Sequence, residues 1–345
     1  MNHSIYLQRC VDLALLAQGE TSPNPLVGAV VVHNGIIIGE GYHQKAGLPH
    51  AEVMAIASVE NTALLPEATL YCNLEPCAHT GKTPPCANHI VQHKIARVVI
   101  GALDTNPKVA GKGVAHMESN GIEVIVHEDP TPFLALNKVF YTNQNLGRPY
   151  FHLKWAASQD GFIDKPAPRT QAAKISGPQA GALTQHLRAI YDGILISSKT
   201  AALDQPKLTC RLPHKASPRP IILQSKAHPI KTDWINSLST KPVVISQGFN
   251  QDWNADHLSI DPKNTAEWTR ALLALGICSV LVEGGAKVHQ HFLDTNTADE
   301  IHRYTSKHVT LQEGVQAPVI PNRYTLAQSS TGQTDVIEHY VRRSV

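Results

Sequence analysis

Four side chains set the chemistry open to this chain. His50 begins the stretch "HAEVMAIA" directly after Pro49, Glu52 follows two positions on, and Cys77 and Cys86 lie in "LEPCAHTGKTPPC", residues 74–86. One neutral imidazole and two thiolates form a three-ligand set for zinc that leaves the fourth tetrahedral position to water, as in catalytic sites. The thiolate charges cancel that of the ion, yet bound water is still acidified enough to provide hydroxide near neutrality. Glu52 is not needed as a ligand. A carboxylate beside that water can take its proton and pass it to a ring nitrogen or a leaving amine. Two blander readings stay open: a buried cysteine pair beside a loop histidine without metal, and a closed structural site in which His79 is the fourth ligand.

The elements around these residues must bring them together. Ser4 is a candidate N-cap for an apolar helix ending near Gly19. "VGAVVVHNGIIIGEGY" predicts two strands joined at Asn34-Gly35, a strong hairpin signal. A helix is expected from Pro49 to about Glu60, a strand at "ATLYCNL" with Cys77 at its end, and a helix between Cys77 and His93. "ARVVIGA" and "IEVIVH" are expected strands, with "GKGVAHMESNG" a short helix between them. This order predicts helices covering a mostly open sheet. "LGRPY", residues 146–150, is a boundary, giving domains 1–146 and 147–345. Beyond it, "YFHLKWAAS", "DGILIS", "RPIILQ", "KPVVIS" and "CSVLVEGG" are expected strands, and "GPQAGALTQHLRAIY" and "TAEWTRALLALG" helices, making a second α/β domain.

Composition narrows the function. Charged residues are 17% of 345 and net charge is +2, so nothing suggests nucleic acid or an anionic membrane surface as partner. No apolar run is long enough to span a bilayer, and the first residues lack a signal-peptide layout. Six cysteines are too few for a disulfide framework, so a reducing, cytoplasmic location is expected. Cys10, Cys72, Cys210 and Cys278 lie among apolar residues and read as inert packed thiols.

Zinc-dependent nucleobase deaminases carry His-x-Glu followed by Pro-Cys-x-x-Cys. The first half is present; the second departs, with "AHTGKTPP" between the cysteines. That lengthened loop resembles the motif of the bifunctional deaminase–reductases of riboflavin biosynthesis. "PNPLVGAVVV", "GEGYHQKAGLPHAEV", "LYCNLEPCAHTGKTPPC" and "DTNPKVAGKGV" also resemble that family. The resemblance implies a cytidine-deaminase-like three-layer domain binding one zinc through His50, Cys77 and Cys86, with Glu52 catalytic. It further implies that Asn24, His43, His79, Lys82, Asp104 and Asn106 face the substrate. Turn formation at "DTNP" and a solvated loop lysine at Lys82 are the competing accounts. Lys82 and Lys112 are of the type that holds a ribose phosphate.

The second half has no dinucleotide fingerprint of the G-x-G-x-x-G kind. "VEGGAKVHQH", residues 282–291, places two glycines between a strand and a helix, which suits backbone approach to a phosphate or merely a turn. "KWAASQDG", "LRAIYDGILISSKTAALDQPKLTCR" and "VLVEGGA" resemble the reductase domain of the same family, which is dihydrofolate-reductase-like. The resemblance implies NADPH contacts at Ala156, Thr200, Asp204, Ser225, Gly285, Ala286 and Lys287, and substrate contacts at Arg188, Leu208, Arg211 and Glu283. Lys174 stands where the family has Trp beside the cofactor, and its cation suits a cofactor phosphate. Gln159, Gln205 and Gln224 replace a Leu and two Asp of the family pattern, and a late Pro-x-Leu-Leu-Gly is not recognisable. The activity implied is hydrolytic deamination of 2,5-diamino-6-ribosylamino-4(3H)-pyrimidinone 5′-phosphate, followed by NADPH-dependent reduction of its ribosyl group to a ribityl chain. Asp204 is the candidate acid. One alternative is a working deaminase with a non-reducing scaffold domain; another is a nucleic-acid base deaminase or RNA-binding module. A homo-oligomer remains open.

Overall fold

The computed structural model describes residues 3–78, 84–105, 110–166, 168, 172–248 and 252–343. The chain forms two compact units, Met1–Gly147 and Arg148–Val345. In the first, the elements are α1 (His3–Leu15), β1 (Gly28–His33), β2 (Ile36–Tyr42), α2 (Ala51–Ala57), β3 (Thr69–Cys72), α3 (Cys86–Gln92), β4 (Arg97–Ile100), α4 (Lys112–Ser119), β5 (Glu123–Val126), α5 (Thr131–Leu136) and α6 (Lys138–Leu146). The sheet order is β2-β1-β3-β4-β5; β1 is antiparallel to β2 and β3, and β3, β4 and β5 are parallel. The hairpin turn is as expected: Asn34 and Gly35 both have positive φ, 49° and 78°, which matches the twist of the flanking strands.

Alternation sorts the strand residues into two cores. Val30, Val32, Tyr71 and Val99 pack with Leu7, Cys10 and Leu13 of α1 and with Phe133. Ala29, Val31, Leu70, Cys72 and Val98 pack with Ala51, Ala55 and Ile56 of α2, Ile90 of α3 and Met117 of α4. Both sheet faces are thereby covered, which makes the expected three layers. The layer over β2 sits close: a Cβ on Gly39 would meet the Ala55 carbonyl at 2.4 Å, and one on Gly41 would meet the Ala55 nitrogen at 2.4 Å. Two expectations need correction. Helix α1 already includes His3, so Ser4 lies inside it rather than capping it. Strand β3 ends at Cys72, so Cys77 stands in the loop beyond it.

The second unit contains β6 (Tyr150–Ala157), β7 (Phe162–Asp164), α7 (Pro178–Ile190), β8 (Gly193–Ser197), α8 (Ser198–Asp204), β9 (Arg219–Leu223), α9 (Thr232–Asn236), β10 (Val243–Ser246), β11 (Asp256–Ser259), α10 (Thr265–Ala274), β12 (Ser279–Val282), α11 (Ala286–Asp294), β13 (Glu300–Ser306), β14 (Val315–Gln316), β15 (Tyr324–Thr331) and β16 (Asp335–Arg342). Its main sheet runs β11-β10-β9-β8-β12-β6-β13-β16-β15. Strands β11 through β13 are parallel, and β16 and β15 extend the sheet antiparallel. The chain steps outward from β8 to β11, then returns to insert β12 between β8 and β6. Sheets of this type bind ligands at the carboxyl ends of the strands where the order reverses, here β8, β12 and β6. No helix among the described residues is long and apolar enough to cross a membrane.

Candidate active sites

His50 is the N-cap of α2, and Glu52 lies in its first turn. Pro49 and the extended backbone of His50 stop the helix from running further back, so the imidazole projects from its tip. Cys86 is the first residue of α3, behind Pro85, and Cys77 comes from the loop after β3. The His50 Nδ1 lies 3.2 Å from the Cys86 Sγ and 3.6 Å from the Cys77 Sγ. All three donors lie within 4.8 Å of one another. Tetrahedral zinc with ordinary Zn–N and Zn–S bonds places such donors about 3.6 Å apart, so the trio fits the ion with Nδ1 as the imidazole donor. The Cys86 backbone N–H also donates to the Cys77 Sγ, at 3.3 Å. Hydrogen bonding from the Cys86 thiol, then from His50, pulls the Cys77 thiol below its usual value against the effect of burial. The Cys86 thiol, sharing that bond and buried, is held well above the usual value.

Glu52 is 3% exposed, and its Oε2 is buried with no hydrogen-bond partner among the described residues. Burial first, then the nearby Cys77 sulfur, pushes its carboxyl up to about 7. A buried acid with one unengaged oxygen is suited to carry a proton rather than to hold a fold together. His43 packs edge-on to His50, with ring centroids 5.3 Å apart. Its Nδ1 faces the Pro49 carbonyl at 3.1 Å and its Nε2 faces the Asn24 amide at 3.0 Å. Because a carbonyl can only accept, Nδ1 carries the proton, and Nε2 accepts from Asn24. Burial lowers the His43 pKa, which keeps this neutral form. Asn24, His43 and His50 thus form one chain of contacts. Asp104 is half-buried in the turn after β4, and Lys112 is exposed at the start of α4. His79, Lys82 and Asn106 lie outside the described residues.

In the second unit, Arg188 of α7 grips Glu283 in two bonds, Nε to Oε1 at 2.9 Å and Nη2 to Oε2 at 2.8 Å. Its Nη1 donates to the Thr209 carbonyl at 3.1 Å, and the Arg211 N–H donates to Gln185 at 2.8 Å. These bonds draw the 208–211 strand of loop onto α7. Buried Leu208 there has a positive φ of 54°, a conformation that surrounding packing must hold for a leucine. Thr200 and Gly285 adjoin: a Cβ on Gly285 would stand 3.9 Å from the Thr200 Oγ1. Gly285 is the extended N-cap of α11. Ser225, after β9, donates its N–H to the Ser198 hydroxyl at 3.0 Å. Ser225 also lines a cavity of about 650 Å³ with Lys226, Trp253, Asp261 and Lys263. Ala156 is the second-last residue of β6, Asp204 closes α8, and Lys174 and Lys287 are exposed. Cys10, Cys72 and Cys278 are buried as expected, whereas Cys210 is only half-buried, its thiol donating to the Gln185 carbonyl at 3.6 Å.

Three features were not singled out from the sequence. Lys154 of β6 sits 5.0 Å from the centre of the Tyr304 ring. Burial, the opposing pull of Glu283 and the Arg188 charge leave its pKa below the lysine value. Glu283 is held below the usual carboxylate range: burial opposes this, but Lys154 and Arg188 outweigh it. A lysine amid the apolar run "YFHLKWAAS" was the available signal, since such a cation is costly in a central strand. The lysine-bearing cavity was hidden because its walls come from distant loops. The third feature, Glu75, is taken up below.

Fold and sites define a two-centre enzyme, a zinc-type deaminase unit followed by a parallel-sheet reductase unit. Residues 1–102 match the cytidine and deoxycytidylate deaminase zinc-binding region, and residues 149–308 match the RibD C-terminal domain. The chain is 37% identical to riboflavin biosynthesis protein RibD of Aquifex aeolicus, covering 86% of this chain and 84% of that protein. It is 39% identical to RibD of Bacillus amyloliquefaciens, over 87% and 83% respectively. A crystal structure of a diaminohydroxyphosphoribosylaminopyrimidine deaminase/5-amino-6-(5-phosphoribosylamino)uracil reductase from Thermotoga maritima superposes with a TM-score of 0.89, at 32% identity and 99% coverage of both chains. The chain belongs to the RibD family, the bifunctional deaminase–reductases of riboflavin biosynthesis that use zinc and NADPH.

Proposed function

We propose that residues 1–146 hydrolyse the exocyclic 2-amino group of 2,5-diamino-6-ribosylamino-4(3H)-pyrimidinone 5′-phosphate and that residues 147–345 then reduce its ribosyl group. The observation that carries the first half is the buried, unengaged Oε2 of Glu52 beside three metal-type donors. Zinc held by His50, Cys77 and Cys86 would supply an acidified water as nucleophile. Glu52 takes the proton of that water and delivers it to the departing amine, which leaves as ammonia. Asn24 and the Nδ1-protonated His43 face the pyrimidine, and Asp104 approaches from the end of β4, with His79, Lys82 and Asn106 as further substrate contacts. The thiolate ligands need a reducing compartment, which supports a cytoplasmic location.

In the second half, bound NADPH would supply a hydride for C1 of the ring-opened ribosyl group. A proton must reach the heteroatom bonded to C1, and Lys154 is the acid of this reading, in place of Asp204. Glu283 keeps the Lys154 ammonium charged until it is used, and Arg188 keeps Glu283 in place. Ala156, Lys174, Thr200, Asp204, Ser225, Gly285, Ala286 and Lys287 contact the cofactor, and Leu208 and Arg211 the substrate. The aromatic, lysine-bearing cavity at Ser225 fits an adenosine with a 2′-phosphate. The test is to give zinc-loaded protein the pyrimidine substrate with and without NADPH and to identify products by mass. Ammonia release without NADPH, then uptake of a hydride and a proton when it is added, is expected. Absence of ammonia would overturn the deaminase half. Unoxidised NADPH with the deaminated intermediate present would overturn the reductase half and favour a scaffold.

A further inference from the structure

The loop that delivers Cys77 also contains Glu75, a 7% exposed carboxylate that the mechanism above does not use. Its two oxygens accept four backbone N–H groups. The Oε2 takes Asp104 at 3.2 Å and Gly111 at 3.0 Å; the Oε1 takes Gly113 at 2.9 Å and Val114 at 3.4 Å. The Glu75 N–H donates to the Ala102 carbonyl at 2.9 Å. One oxygen atom therefore holds both ends of the segment 104–111, and its twin holds the first turn of α4. The fit leaves no slack, since a Cβ on Gly113 would lie 2.1 Å from the Pro76 carbonyl.

We propose that Glu75 is a positioning residue for the deaminase substrate: it fixes Asp104, at one end of that segment, against the loop that carries the Cys77 ligand. This rests on the reading of Asp104 as a substrate contact. A charged acceptor buried among four donors is expected to hold geometry tightly, because charge-assisted bonds are about twice as strong as neutral ones. Among the described residues Glu75 makes no hydrogen bond to His50, Cys77 or Cys86, so its loss should loosen substrate placement while the proton carrier Glu52 and the metal donors stay as they are.

Glu75→Gln tests this, because the amide turns one acceptor oxygen into a donor that faces two N–H groups. The expected result is a deamination KM raised about tenfold or more, with kcat changed less than about twofold, zinc content unchanged and reductase rate on the deaminated intermediate unchanged. In an Asp104→Ala background the same substitution should add nearly nothing, as a shared route requires. Glu75→Asp, with both oxygens on a shorter stem, should fall between wild type and Gln and carries the comparison if the Gln variant does not fold. An unchanged KM overturns the proposal, as does loss of zinc together with kcat, or a full additional effect on top of Asp104→Ala. An unaltered KM in Asp104→Ala alone overturns the substrate-contact reading instead, and with it the route through Asp104.

Discussion

The two units differ in how their sites are assembled. The metal donors come from the tips of two neighbouring helices and one loop, and they meet at bond-compatible distances before any ion is considered. The candidate reductase residues come from β6, α7, α8, the 208–211 loop and β12, around the point where the strand order reverses. A metal demands particular atoms at particular spacings, so local sequence must carry them. A cofactor groove demands a surface, which many side chains can furnish. That contrast accounts for a unit that keeps its metal motif beside one in which Lys174, Gln159, Gln205 and Gln224 depart from the family pattern.

The contrast can be broken most severely at the metal. Cys77→Ser should lose most bound zinc and essentially all ammonia release, while NADPH oxidation on the deaminated intermediate continues; metal analysis and the two assays in one preparation check it. A smaller effect is expected at Glu52. Glu52→Gln keeps shape and removes the proton carrier, so deamination should slow about 100-fold with zinc retained, measured as initial ammonia release.

The reductase unit should respond to Lys154→Met by a loss of comparable scale, about 100-fold in hydride transfer at saturating NADPH, with deamination untouched. Lys154 is the better target than Arg188, because removing that arginine strands a buried carboxylate at a cost of about 3–5 kcal/mol and confuses stability with chemistry. The acid must be protonated to act. Wild-type reduction should therefore fall as pH rises through the Lys154 pKa, which burial places below the ordinary value of 10.5. A profile that is flat where an exposed lysine would still be charged counts against Lys154 as the acid. The smallest change is expected at the cavity. Lys226→Gln with Lys263→Gln should raise the KM for NADPH about tenfold and leave that for NADH alone, as losing one phosphate contact implies.

Sequence patterns revealed the first unit more fully than the second. Asn34-Gly35, the alternating "GAVVVH" and the prolines before His50, Cys77 and Cys86 are local signals, and each led to the observed element or donor. Helices α5 and α6 were missed because Pro130, Pro132 and the asparagines around them read as boundary rather than helix. Strand β15 was missed because nearly all of it is exposed, so no buried face imposes alternation on "YTLAQSST". Glu75 and Lys154 are single residues whose meaning depends on partners far along the chain, which spacing cannot reveal.

The bare floor beneath α2 has a consequence for how this enzyme can vary. Gly39 and Gly41 let the helix that carries His50 and Glu52 rest close on strand β2, with the Ala55 backbone 2.4 Å from where a Cβ at either position would stand. At these two glycines the helix approaches as closely as the strand allows, a separation that substitution there can increase but never reduce. Any residue larger than glycine at either position acts as a shim that lifts the imidazole and the carboxylate away from the cysteines. Two small residues on a neighbouring strand thus help to set the reach of the site.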